Sequence, residues 1–141
     1  MNSSYCTFRV GTAWLGIEVE RVQEVLRGQA MARIPGSSSS IKGLMNLRGQ
    51  IVTALDLQDR LSVAECEEGP TRMNVVVRTS EGPVSLLVHE IGDVLVVDED
   101  TYEPPPETLH GVHKDLIKGT FKLPNGLLLV LDTDAALEVA A

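Results

Sequence analysis

The chain has 141 residues, 43% of them hydrophobic, and a formal net charge of −8. This is the length of one domain, and a domain of this size buries about 70% of its unfolded surface. The acidic balance, with lysines and arginines scattered, excludes a phosphate-tracking surface, so neither nucleic acid nor anionic lipid is an expected partner.

In chain order, the N-terminus MNSSYCTFRV lacks the basic start and long apolar core of a signal peptide. YCTFRV and AWLGIEV follow as two short, β-rich apolar runs that predict strands. Val19, Val22, Val25 and Leu26 then repeat near three, which predicts a turn or two of helix over 19–25. RIPGSSSS at 33–40 is a loop. In IKGLMNLRGQIVTALDL, Ile41 to Leu57, two apolar runs flank a polar break with an arginine at its centre. A turn between strands needs a glycine and tolerates an asparagine, but it has no need of Arg48. A second helical turn is expected near 56–61. Residues 62–71 form an acidic connector that holds Cys66. NVVVRT, VSLLVHEI and DVLVVD are three more predicted strands. Pro104 to Pro106 interrupt the long loop at 98–115 and favour an extended segment. GLLLVLDT is the last predicted strand, with a short helix near 133–138. Aromatics are only 4% of the chain, so the core must be aliphatic. No apolar run approaches the roughly 18 residues of a membrane span, and the two cysteines, Cys6 and Cys66, read as reduced thiols of a soluble, cytoplasmic protein.

The chain also resembles itself. At an offset of 69, FRVGTAWLGIEVERVQEVL overlays VRTSEGPVSLLVHEIGDVL, so that Arg9 falls on Arg78 and Glu24 on Asp93. At an offset of 76, IKGLMNLRGQIVTALDL overlays IKGTFKLPNGLLLVLDT, with Gly43 on Gly119, Leu47 on Leu123 and Asp56 on Asp132. Two copies of one unit, 5–61 and 72–137, are the reading this supports. A unit of four or five short strands suits a small barrel, whose closure removes exposed sheet edges.

Catalytic groups are not assembled anywhere in the chain. His110, His113 and Glu107 have a metal-like spacing, but they lie in a proline-rich loop and read as solvated. Cys66 sits among Glu65, Glu67 and Glu68, which raise a thiol pKa rather than lower it. There is no phosphate-binding glycine loop and no nucleophile elbow. No enzyme activity, no metal and no cofactor are expected. Surface charges remain: Arg48, which can pair bidentately with a carboxylate, and Glu24, expected to point outward. The second half keeps the acid, as Asp93, but has Pro124 where the first has Arg48.

VERVQEVL, the proline loop at Pro35, IKGLMNLRGQIVTALDL, VSLLVHEIGDVLVVD, YEPPP and GLLLVLDTDAAL together resemble the CheW domain of bacterial chemotaxis, from about Phe8 to Leu137. The resemblance implies a mostly β fold over 1–141, two packed SH3-like five-stranded β-barrels with a few short helices. It implies a non-catalytic adaptor that couples the cytoplasmic tip of methyl-accepting chemoreceptors to the regulatory domain of a CheA-type histidine kinase. Such a protein is monomeric alone, cytoplasmic, recruited to membrane-associated arrays and not inserted in the membrane. Arg48 and Glu24 fall on the family's signature arginine and glutamate, and a pairing of the two across the first barrel is a further expectation. Around them, Asn46, Gly49, Lys42, Gly43, Val22 and Leu44 are the expected protein-binding residues. Val22 and Leu44 would supply burial, Gly43 close backbone approach, and Lys42 orientation. The sequence departs from the family pattern at Val88-His89-Glu90-Ile91, at Val52-Thr53-Ala54-Leu55-Asp56-Leu57, and in the serines after Pro35. Those departures leave open a scaffold of a non-flagellar sensory system, such as pilus-based motility, or a competitor for array sites.

Overall fold

The computed structural model describes residues 1–28, 31–32, 40–61, 71–107, 114–124 and 126–138. Outside them lie the Pro35 loop with Ser37 to Ser39, most of the 62–71 connector with Cys66, His110, His113 and Asn125. The strands are β1 (Asn2–Val10), β2 (Ala13–Glu18), β3 (Val22–Arg27), β4 (Ile41–Leu47), β5 (Gln50–Asp56), β6 (Met73–Val77), β7 (Val84–Val88), β8 (Glu90–Asp98), β9 (Ile117–Leu123) and β10 (Gly126–Leu131). Two short helices, α1 (Leu57–Arg60) and α2 (Thr133–Leu137), follow β5 and β10. Single 3-10 turns occur at Val19–Arg21, Glu99–Thr101 and Lys114–Leu116.

The helix expected over 19–25 ends at Arg21, and Val22, Val25 and Leu26 belong to β3. Their near-three spacing has a strand cause. Val22 pairs with Val77 and Glu24 with Val76, so Gln23 is an extra residue and the bulge resets the alternation.

The strands form two five-stranded sheets, β3-β6-β7-β5-β4 (barrel I) and β8-β1-β2-β10-β9 (barrel II). Adding five to every strand number of barrel II, and cycling past ten, gives the order of barrel I. The expectation that each sequence unit closes its own barrel needs correction: each sheet draws two strands from one half of the chain and three from the other. Hairpin chemistry explains the exchange. Positive φ occurs at Gly11, Arg48, Gly49 and Gly82, which sit in the β1–β2, β4–β5 and β6–β7 turns, and at Gly126, the first residue of β10 after the β9–β10 turn. Tight hairpins need such residues, and neither Val19–Arg21 nor His89 supplies one. At those two places the chain therefore crosses to the other sheet.

Each sheet closes on itself. After β3, Ala32 exchanges both backbone hydrogen bonds with Leu44 of β4, at 2.8 Å each. After β8, Glu103 does the same with Thr120 of β9, at 3.0 and 2.8 Å. Closure satisfies edge groups that would otherwise pair with other chains. Barrel I encloses Met45, Leu47, Val52, Ala54, Val76 and Leu87, and barrel II encloses Tyr5, Phe121, Leu128 and Val130. A third and larger core, with Phe8, Leu15, Ile17, Val75, Val77, Leu86 and Leu131, lies between them. Strands such as β6 and β10 are thus buried on both faces, which is why they read as continuous apolar runs rather than alternating ones.

The repeated sequence blocks have repeated structural duties. Gly43 pairs with Ala54 and Gly119 with Val130, each next to a bulge. A Cβ on Gly119 would lie 2.0 Å from Cζ of Tyr102, whose ring crosses the strand there. Asp56 accepts from the backbone N–H of Gln58 at 3.1 Å and Asp132 from that of Ala135 at 3.2 Å, so each Leu-Asp pair ends a strand and caps a helix.

Candidate protein-binding surface

The β4–β5 hairpin carries the polar break that the sequence singled out. Leu47 pairs with Gln50, which leaves Arg48 and Gly49 as a two-residue loop with φ of 52° and 87°. Two positive φ values are what a type I′ hairpin requires, and its first position favours Asn, Asp or Gly. An arginine there costs about 1–2 kcal/mol of backbone strain. Asn46 braces the turn by accepting from the N–H of Gly49 at 2.9 Å. Asn46 and Gly49 therefore build the turn, while Arg48 is carried by it.

Arg48 reaches across the seam of barrel I. β3 and β4 are the two ends of that sheet's strand order, and the Arg48 guanidinium donates to Oε2 of Glu24 on β3. The Arg48 side chain is 66% exposed and that of Glu24 21% exposed. Glu24, expected to point outward, is thus partly covered by its partner. Its carboxyl is held below the ordinary glutamate value, first by the hydrogen bond from Arg48. Partial burial opposes that shift, and the Gln23 side-chain amide, 3.4 Å from Oε2, adds to it.

The other expected residues are spread along β3 and β4. Lys42 is exposed at the far end of β4, with Nζ 3.7 Å from Oδ2 of Asp56. Gly43 is buried. Leu44 is half-buried, and both its backbone groups are engaged by Ala32. Val22 packs against the central core. The structure brings together Arg48, Glu24, Asn46 and Gly49, and places Lys42, Gly43, Val22 and Leu44 elsewhere on the same barrel.

Several exposed residues were not singled out from the sequence. Ile51, 60% exposed, lies opposite Asn46 on the same hairpin. On β8, Val94 and Val96 are 58% and 66% exposed, opposite Cys6 and Ser4 of β1. The signal was present in DVLVVD, where both faces of a strand are apolar and only one is enclosed. Burial pushes the Cys6 thiol up, away from thiolate reactivity. His89 accepts at Nδ1 from the N–H of Gly11 at 2.9 Å and so holds the β1–β2 turn. Among the described residues no three His, Cys, Asp or Glu side chains could hold a metal ion, and no helix is long and apolar enough to cross a membrane.

Residues 4–141 match the CheW-like domain family. The chemotaxis protein CheW of Bacillus subtilis (strain 168) is 32% identical over 134 residues, which span 93% of this chain and 84% of that protein. The protein of the same name from Treponema pallidum (strain Nichols) is 25% identical over 130 residues, 89% of this chain and 76% of that one. The crystal structure of the scaffolding protein TtCheW from Thermoanaerobacter tengcongensis superposes with a TM-score of 0.83 at 23% identity, covering 94% of this chain and 90% of that one.

Proposed function

Because the chain belongs to the CheW-like domain family, we propose that it is an adaptor that couples chemoreceptors to a CheA-type histidine kinase in a signalling array. The family consists of non-catalytic scaffolding adaptors, and this chain is not an enzyme. Its output is binding alone. One observation carries the reading: an arginine held in a strained backbone conformation, on an exposed hairpin whose own stability would be better served by Asn or Gly. Strain of this kind is retained where the side chain has a use.

The kinase's regulatory domain meets barrel I at the hairpin. Arg48 and Glu24 orient it, Lys42 adds charge at the far end of β4, and Ile51 supplies an apolar contact. Val22, Leu44 and Gly43 act from beneath that surface, by shaping it. The receptor's cytoplasmic tip needs a separate surface if both partners are held at once, and the Val94–Val96 stripe of barrel II is apolar and exposed enough to serve. The protein works in the cytoplasm as a single domain over 1–141, built from related units 5–61 and 72–137, and it is recruited to the membrane by its receptor.

A pull-down from native cytosol and membranes tests this. Retention of a CheA-type kinase and a chemoreceptor is the expected result, with Arg48→Ala losing the kinase and Val94→Asp losing the receptor. Recovery of neither partner by the unmutated protein sinks the assignment.

A further inference from the structure

The two barrels share strand order, bulges and hairpin register, and they differ at one end of their seams. In barrel I the opening between β3 and the β4–β5 hairpin is crossed by Arg48 and Glu24. In barrel II the same place lies between β8 and the β9–β10 hairpin. Asp93 takes the position of Glu24 after the equivalent bulge, where Ile91 pairs with Phe8 and Val94 with Cys6. Pro124 takes the position of Arg48 and cannot supply a cation. Among the described residues no side-chain partner reaches the Asp93 carboxylate, although its backbone carbonyl accepts from Thr7 Oγ1 at 2.6 Å.

What remains at that seam is a groove of about 490 Å³. Trp14, Leu95, Leu123, Leu127 and Leu128 line it together with two carboxylates, Asp93 and Glu90, the second of which is paired with Nε of Arg9 at 2.8 Å. Gly92 replaces Gln23 of barrel I, and it is needed there. A Cβ at Gly92 would lie 2.6 Å from Cζ3 of Trp14, so only glycine lets the indole lie against the strand. Asp93 shares a strand face with Leu95, because residues two apart point the same way. The carboxylate and the apolar lining are therefore presented together.

We propose that this groove is a binding site for an arginine side chain flanked by an aliphatic residue, presented by a segment of a protein partner. Charge complementarity selects the occupant: an exposed carboxylate with no side-chain partner among the described residues, set beside leucines and an indole, favours a planar cation that also tolerates contact with an indole. The protein itself supplies the precedent, since barrel I fills the equivalent place with its own arginine. Barrel II leaves that place to another chain. This site is distinct from the Arg48 hairpin and from the Val94–Val96 stripe, and it stands whether or not those surfaces bind as proposed above.

The sequence has one tryptophan, so emission from Trp14 reports on this groove. The full chain is titrated with the blocked tripeptide Ac-Leu-Arg-Gly-NH2, and separately with the same peptide carrying neutral citrulline for arginine. The expected result is a saturable change in Trp14 emission with the arginine peptide. Binding weakens by about tenfold or more with citrulline, and by a similar factor in Asp93→Asn, the cost of losing one charge-assisted contact. Leu127→Ser, on the opposite wall and exposed, should weaken binding while leaving the thermal midpoint unchanged. No saturable response, equal response to both peptides, or a response indifferent to Asp93→Asn in a folded variant would each overturn the proposal.

Discussion

Arg48 and Glu24 belong to the two ends of one sheet's strand order, and the guanidinium of the first donates to the carboxylate of the second across the seam of barrel I. The seam is already closed by backbone bonds between Ala32 and Leu44. The ion pair is therefore not needed to hold the barrel shut, and its exposed arginine is free to be shared with a partner.

Opposite effects on stability and function follow for Arg48. In Arg48→Asn the turn gains its preferred residue, and the relief of backbone strain should raise stability by a few tenths to about 1 kcal/mol. Arg48→Ala should fold with a midpoint close to that of the parent. Both should lose kinase coupling, since removing a well-placed interface arginine costs about 2 kcal/mol or more, roughly thirtyfold in affinity. Thermal denaturation and a reconstituted kinase assay separate the two effects. A large fall in midpoint for either variant would mean that Arg48 is structural. Reversing both charges, Arg48→Glu with Glu24→Arg, should recover part of what each single reversal loses, and full additivity would argue against the pairing.

The same pair sets an acid response. The folded-state pKa of Glu24 is depressed below its ordinary value of 4.5 by the hydrogen bond from Arg48. Its contribution to stability is fully present above 4.5 and is lost as pH falls through the lower, folded value. Any midpoint difference between the parent protein and Glu24→Gln at neutral pH should therefore shrink in acid. A difference that stayed constant down to about pH 2, well below the ordinary glutamate range, would assign the effect to packing rather than charge.

At the other end of barrel II, Tyr102 lies over Gly119 and meets Phe121 edge-on, with ring centroids 5.4 Å apart. Gly119→Ala should expel the tyrosine and destabilise by about 1–3 kcal/mol, the range for overpacking. In a Tyr102→Ala background the same substitution should cost much less. Denaturant titrations of the four proteins give the coupling, and equal costs in both backgrounds would show that the ring is not what excludes a side chain there.

Alkali probes the same barrel. Burial, then the charges of Glu99 and Glu18, push Tyr5 up to about 12, and burial also raises Tyr102. Because the folded values lie above the unfolded value of 10.0, the stabilisation is fully present below 10.0 and is lost as pH rises toward 12. Tyrosinate absorbance should lag free tyrosine in the native protein and rise together with unfolding. Ionisation of Tyr5 near 10 with the fold intact would contradict its burial.

Much of this molecule was legible in its sequence. The apolar runs marked the strands, and the repeated Ile-Lys-Gly and Leu-Asp blocks marked positions that perform the same local duty twice, beside a bulge and at a helix cap. Arg48 and Glu24 stood out because the second half keeps the acid and drops the arginine. Local pattern could reach that far because turns, caps and alternation are set by neighbours in the chain. It misread Val22, Val25 and Leu26 as helical, because a bulge and a helix turn leave similar spacing over four residues.

Only the tertiary structure decided which strands share a sheet. Pairing of β2 with β10 and of β5 with β7 joins distant segments, and nothing in the composition of either partner names the other. For the same reason the sequence could not say which apolar face of β8 is covered, or that Asp93 overlooks an open groove while Glu24 lies beneath an arginine. Alternation defines two faces of a strand, and what lies against each is fixed by parts of the chain brought there by folding.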